Sequence, residues 1–185
     1  MSLGWRNTVV KAERLIYGWH SAAVIYRMYL EDPWFLLQWS RSLLSGYSRF
    51  PSQLKCLGGG RKHGDESPLI TLEREVWEEA FITLGEYDPI LLGTGGQLSS
   101  QGNHAKFSFL VPFEQMEGTE KMRRANQSLI DGTSLLFDLG FYHWKDAIRL
   151  STLSNPPKSK NPKIIREATE MILGRKVRRS ELTGV

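Results

Sequence analysis

The 185-residue chain has a single cysteine, no internal repeat and no long apolar run. The lone Cys56 excludes an intrachain disulfide and suits a reducing compartment. It is read as a buried structural thiol. No apolar stretch approaches the ~20 residues of a membrane-spanning helix, so no membrane partner is expected. Trp5, Arg6, Lys11 and Arg14 interrupt any signal-peptide pattern, and the expected location is the cytoplasm. Excess charge is also small. The net +4 suits an anionic small molecule and is too low to argue by itself for nucleic acid. Hydrophobic content of 41% and charged content of 24% are ordinary for one globular domain. The expected organisation is an N-terminal extension at 1–17, one domain at 18–174 and a frayed basic tail at 175–185.

What the chain does have is concentrated between Gly60 and Ile82, GRKHGDESPLITLEREVWEEAFI. Ser67 is a good N-cap and Pro68 fits the first helical position. Leu69, Leu72 and Val76 then recur at helical spacing as a core stripe. Glu75, Glu78 and Glu79 stand at i, i+3 and i+4, which puts three carboxylates on one helix face. Unpaired, such anions repel one another. A hard divalent cation such as Mg²⁺ or Mn²⁺ is held by an oxygen cluster of this kind. The preceding Gly58-Gly59-Gly60 run brings backbone close to a metal or a phosphate, and Gly60 is taken as a substrate contact. Arg74 is expected to pair with Glu66 and to hold the loop against the helix.

These residues resemble the motif of the Nudix hydrolases, G-x5-E-x7-R-E-U-x-E-E-x-G-U with U aliphatic. The match falls on Gly60, Glu66, Arg74, Glu75, Val76, Glu78, Glu79 and Ile82. The resemblance implies an α/β fold, an α/β/α sandwich with a mixed β-sheet. It implies Mg²⁺- or Mn²⁺-dependent cleavage of a pyrophosphate in a nucleoside diphosphate-linked substrate. It also implies a backbone ligand at Gly59, beside Glu75, Glu78 and Glu79. Glu78 is the candidate proton acceptor, and a further acid is borrowed from a later loop. Asp138 is chosen for that place, with Glu114, Glu117 and Glu120 as rivals. Family members are often homodimers. The one departure is Phe81, where the motif has glycine. The expectation is that the helix runs another turn, through Leu84, and closes at Gly85.

Elsewhere, Ala22 to Leu30 and Trp34 to Trp39 read as strands about an Asp32-Pro33 turn, followed by a loop from Ser40 to Arg49. Ile90 to Gln97 and Lys106 to Phe113 read as further strands. Glu114 to Gly140 reads as a long polar connection and Phe141 to Trp144 as a short strand. Asn161 is expected to cap a last helix that Gly174 ends, with Ile164, Ile165, Ala168, Met171 and Ile172 as its stripe. Asn161 has a second reading, as an amide that contacts a base. Trp34, Trp39, Tyr47, Phe50 and Trp144 are available for stacking. Trp39 and Arg41 lie in a segment that faintly resembles coenzyme A-cleaving relatives and are taken as substrate contacts. A nucleoside triphosphate or nucleotide-sugar type of substrate is expected. Two other readings stand beside the hydrolase. One is a non-catalytic nucleotide-binding protein, with Phe81 as its sign. The other is an enzyme of RNA 5′ ends, which would use Lys121, Arg123, Arg124 and the tail.

Overall fold

The first described strands form a hairpin that opens at one end. β1 (Gly18–Tyr29) and β2 (Asp32–Ser42) pair antiparallel from Ile25↔Leu36 to Tyr29↔Asp32. The turn lies at Leu30 and Glu31, both left-handed, two residues before the expected Asp32-Pro33. Pro33 instead sits near the start of β2, where a missing N–H is tolerated. Beyond Ile25 the strands diverge, and two short strands fill the gap. β3 (Ser52–Lys55) pairs with β2, and β4 (Leu57–Gly60) pairs with β1. Cys56 lies at the crossover and is buried. The structure is a computed structural model and describes residues 18–44, 52–85, 89–99, 102–117, 122–124, 126–157 and 159–182. The expected extension at 1–17, Tyr47, Phe50, Glu120 and Lys121 lie outside that range.

The sheet is mixed. β7 (Gly102–Pro112) runs parallel to β1, and β6 (Ile90–Ser99) runs antiparallel to β7. On the other side β10 (Ser134–His143) pairs with β2 and carries β9 (Leu129–Asp131). Together with β3 and β4 this makes an eight-stranded sheet. A separate two-stranded ribbon joins β5 (Thr83–Leu84) to β8 (Met116–Glu117). Helix α1 (Pro68–Ala80) covers one face, where Trp19, Ala23, Leu36, Leu72, Val76 and Phe107 form a core. Helices α2 (Trp144–Ser154) and α3 (Asn161–Leu173) cover the other, over Val24, Phe35, Leu37, Trp144, Ile148 and Ile165. Alternate residues of β1 therefore serve opposite layers, as the two-residue strand period requires. The expected α/β/α sandwich is present.

Several expectations are corrected. Glu114 to Gly140 is no bare connection: it contains β8, β9 and most of β10. A two-residue turn at Gly132-Thr133 joins β9 to β10, with Gly132 at φ 55°. A glycine at the first of the two turn positions is a hairpin signal, and Gly132 carries it. Helix α2 was not anticipated, although Trp144, Ala147, Ile148 and Ser151 are its buried stripe. The α3 stripe holds for Ile165 and Ala168, while Met171 is exposed. Gly174 ends α3 in the left-handed conformation, as expected. The segment after it is packed: Val177 is buried, Arg175 pairs with Glu181 at 2.8 Å and Lys176 with Glu170 at 2.6 Å.

The end of α1 contradicts the extended-helix expectation. The helix stops at Ala80, and Phe81 itself takes the left-handed cap at φ 61°, ψ 30°. Its N–H still reaches the Trp77 carbonyl at 2.9 Å. Arg123 makes this ending stable without glycine. Its backbone N–H donates to the Ala80 carbonyl at 2.8 Å and its Nε to the Glu79 carbonyl at 2.7 Å. The Phe81 ring also lies edge-on to Trp77 at 6.5 Å. A left-handed L-residue costs about 1–2 kcal/mol, against roughly 0.5 kcal/mol for an exposed aromatic contact. Phe81→Gly is therefore expected to raise unfolding stability by up to about 1 kcal/mol, read by urea denaturation. A loss of stability would show that the ring contact dominates.

Candidate functional site

The sequence places Glu75 and Glu79 one turn apart on α1, and the packing of α1 turns both toward the sheet. Glu75 is 3% exposed and Glu79 is 0% exposed. Burying two acids side by side demands partners. The opening of the β1–β2 hairpin supplies them, because it lets β4 pass directly beneath the helix. The Gly58 N–H donates to Glu79 Oε2 at 2.8 Å, and Lys55 Nζ lies 3.5 Å from Oε1. A Cβ on Gly59 would stand 2.3 Å from Glu75 Oε2, so only glycine leaves room for that carboxylate. A Cβ on Gly58, at φ +144°, would strike the Ser21 carbonyl oxygen at 2.2 Å. The two glycines thus act separately, one against the backbone of β1 and one against Glu75.

Arg74 holds the loop to the helix, with a different acid from the one expected. Its Nη2 donates to Asp65 Oδ2 and to the Gly60 carbonyl, both at 2.8 Å, and its Nε donates to Asp65 Oδ1 at 3.2 Å. Its Nη1 donates to Glu75 at 2.6 Å and to Glu78 at 2.8 Å. The expected partner Glu66 is exposed, while Asp65 is buried. The loop turns Asp65 inward, where the Lys62 N–H and Thr71 Oγ1 also donate to it at 2.9 Å. Arg74 holds the Asp65 carboxyl down at about 2.

Glu78 is the more exposed neighbour of the buried pair and shares Arg74 Nη1 with Glu75. Lys62 Nζ donates to Glu78 at 2.8 Å and 3.0 Å, and Arg74 adds a third contact. Partial burial works to raise its pKa, but Lys62 and Arg74 outweigh this and hold it below the usual range. The acid that joins Glu75 and Glu79 is Asp131, at the end of β9. One carboxylate oxygen from each of the three lies within 4.8 Å of the others. The expected loop acid Asp138 is not among them. It is exposed on the irregularity of β10 between Phe137 and Gly140, at φ 50°. Glu114 is exposed in the middle of the short 3-10 turn. The sequence signal for Asp131 is the Gly132-Thr133 turn, which sets it at the last paired position of β9.

Burial pushes the Glu79 carboxyl up to about 7, with Lys55 and the Gly58 N–H opposing and Glu75 and Asp131 adding to the rise. Burial raises Glu75 as well. Three carboxylates this close repel unless protonated or bridged by a cation. All the donors are hard oxygens, which fits Mg²⁺ or Mn²⁺. The Cys56 thiol is pushed up to about 12 by burial, so it is inert.

Two hollows border these acids. A groove of about 250 Å³ is lined by Lys62, Trp77, Glu78, Glu79, Ile130 and Asp131. A larger cavity of about 560 Å³ lies on the opposite sheet face, under the start of α3. It does not include the three acids, but Lys55 and Gly58, both bonded to Glu79, line it. Asn161 also lines this cavity. It is the first residue of α3 and makes no side-chain cap there; its Nδ2 meets Asn155 Oδ1 at 3.4 Å. The cap expectation is therefore corrected. Trp39 and Arg41 reach neither hollow. Trp39 packs in the α2–α3 layer, and Arg41 stacks over Phe137 with its Nε on Ser52 Oγ. Arg123, read as a possible RNA contact, is 1% exposed and bound to Glu79, Gln38 and Gln127.

The architecture matches known structures over nearly its whole length. A mutT/nudix family protein from Listeria innocua superposes with TM-score 0.54 at 18% identity, over 87% of this chain and 97% of that one. The NUDIX domain of Shewanella oneidensis NrtR, complexed with ADP ribose, gives 0.53 at 14%, over 93% and 99%. The chain has the Nudix fold. A C. elegans Ap4A hydrolase binary complex gives 0.51 at 15%, over 85% and 98%. No protein-family model and no curated protein matches the chain. The motif residues of this Nudix fold run from Gly60 at the end of β4, through the loop and α1, to Ile82 just beyond the helix. Among the described residues, no helix is long and apolar enough to cross a membrane.

The raised Glu79 pKa has a signed consequence. A carboxyl with a folded pKa above its unfolded 4.5 adds stability below that value and loses it as pH rises toward about 7. His20 titrates in the opposite sense: burial, then Lys106 and Lys55, lower it from 6.5 to about 4. The readout is therefore the difference between the metal-free parent and Glu79→Gln, in which His20 cancels. The parent is expected to lose on the order of 3 kcal/mol relative to Glu79→Gln between about pH 4.5 and 7. Parallel stability curves in denaturant titrations across that range would refute the buried-acid account.

Proposed function

We propose that this protein is a Mg²⁺- or Mn²⁺-dependent hydrolase of a phosphoric anhydride, a Nudix pyrophosphohydrolase acting on a nucleoside diphosphate-linked compound. The observation that carries this reading is the convergence of Glu75, Glu79 and Asp131 within 4.8 Å, at the groove that also exposes Glu78 and Lys62. Solved structures that share the fold include an Ap4A hydrolase and a domain complexed with ADP ribose, which supports a nucleotide-like substrate. The cytoplasm is the compartment proposed.

Glu75, Glu79 and Asp131 would hold the metal, with the Gly59 backbone beside them. The bound cation would supply charge neutralisation to a diphosphate and lower the pKa of a bound water. The protein's own residues arrange the rest. Arg74 fixes Glu75 and the Gly60 carbonyl in one hydrogen-bond set, so it is a positioning residue. Lys62 is 54% exposed at the rim of the groove and is free to swing toward a phosphate. Glu78 is the poorest proton acceptor of the helix acids while Lys62 and Arg74 hold it. It becomes competent as a base when a substrate phosphate draws Lys62 away.

Hydrolysis assays with Mg²⁺ over a panel of nucleotides and nucleotide sugars, with the nucleoside monophosphate and the released phosphate ester or pyrophosphate resolved by mass, test the reading. Glu79→Gln and Asp131→Asn should each lower turnover by about 10²–10⁴-fold, the usual scale for a key charged group. Asp138→Asn and Glu66→Gln should stay within about twofold, since neither touches the cluster. Comparable losses at Asp131 and Asp138 would remove Asp131 from the site. Saturable nucleotide binding with no turnover in the parent would support the non-catalytic reading instead.

A further inference from the structure

The cavity under α3 has the wrong walls for a base and the right ones for an anion. Among the described residues, Lys55, Lys106, Lys160 and Lys163 line it, with Glu167 the only acid. Lys55 leans to Glu79 at 3.5 Å and Lys163 to Glu167 at 3.6 Å. Among the described residues, Lys106 and Lys160 have no carboxylate partner. They come from different layers, β7 and the turn before α3, so the convergence is made by the fold and is not a run in sequence. Among the described residues two aromatic rings line it, the His20 imidazole and Phe107, and Phe107 is buried in the α1-side core with Phe109. A base bound here would find no Trp or Tyr and only the small His20 imidazole to stack on, and stacking is the usual source of base affinity. A group carrying its own charge would find two ammonium groups with no carboxylate partner among the described residues, both exposed and both lining the cavity.

We propose that this cavity selects substrates whose group beyond the scissile diphosphate carries a second anion, a phosphate or a carboxylate, and that Lys106 and Lys160 read it. The proposal rests on the hydrolase reading for its orientation: Lys55 and Gly58 touch Glu79 on one side and line the cavity on the other. The neutral His20 between Lys55 and Lys106 is a hydrogen-bond partner for the same group and adds no charge.

Anion binding is measured without metal and without turnover, so its failure and the failure of the hydrolase reading are separable. Inorganic pyrophosphate, inorganic phosphate, glucuronate and adenosine are titrated into the protein by NMR. The expected result is saturable shifts at His20, Lys106 and Lys160 for the anions and none there for adenosine. Lys106→Glu with Lys160→Glu should weaken anion binding at least about tenfold. Lys106→Arg with Lys160→Arg should retain it, which separates charge from a packing defect. A second arm compares UDP-glucose with UDP-glucuronate, which differ by one carboxylate. Where both are cleaved, the kcat/KM ratio should favour the glucuronate and fall toward one in the double Glu variant. Anion shifts scattered over other surface lysines, equal binding by the double Glu variant, or adenosine saturating the cavity would each overturn the proposal.

Discussion

Two carboxylates, Glu75 and Glu79, are taken out of water on the inner face of one helix, and much of the molecule around them exists to make that tolerable. An isolated buried charge costs several kcal/mol. Here the cost is met from three directions: the Arg74 guanidinium, the Gly58 N–H, and Lys55 reaching in from the end of β3. The compensation is incomplete, since Glu79 still titrates near neutrality. That residual is what makes the site receptive to a cation. A fully neutralised cluster would have no use for one.

The same hairpin opening that exposes the Gly58 N–H to Glu79 also separates the two hollows. β4 is a thin wall of glycine backbone, with the acids on one side and the lysine-lined cavity on the other. A Cβ would strike the β1 backbone at Gly58 and the Glu75 carboxylate at Gly59. Charge is unevenly divided among the described residues: three acids converge toward α1, while four lysines and one acid, Glu167, line the hollow toward α3. A polyanion lying across this wall would meet the opposite sign on one side and a cation held by acids on the other.

Much of this was legible in the sequence, and for identifiable reasons. The acids of α1, its Ser67 cap and its apolar stripe are local patterns, and local patterns survive folding. What failed were choices decided at a distance. Phe81 can close the helix because Arg123, forty residues on, caps its carbonyls. Arg74 takes Asp65 over Glu66 because the loop turns one inward and the other out. Asp131 over Asp138 depends on where the sheet edge falls, although the Gly132-Thr133 turn was a signal available for reading. Lys106 and Lys160 lie more than fifty positions apart, and no spacing rule would join them.

The parallel pairing of β1 with β7 has a kinetic meaning. It joins Gly18 to His104 and Tyr26 to Pro112, so nearly half the chain must be looped before the central ladder can zip. Such non-local pairing slows folding. Helix α1 lies inside that loop and can form early from its own cap and stripe. Its acids would then wait, solvated and unpaired, until β1, β4 and β9 arrive. The acidic centre is among the last parts of the molecule to be assembled, and a cation that binds it acts only on chains that have finished folding.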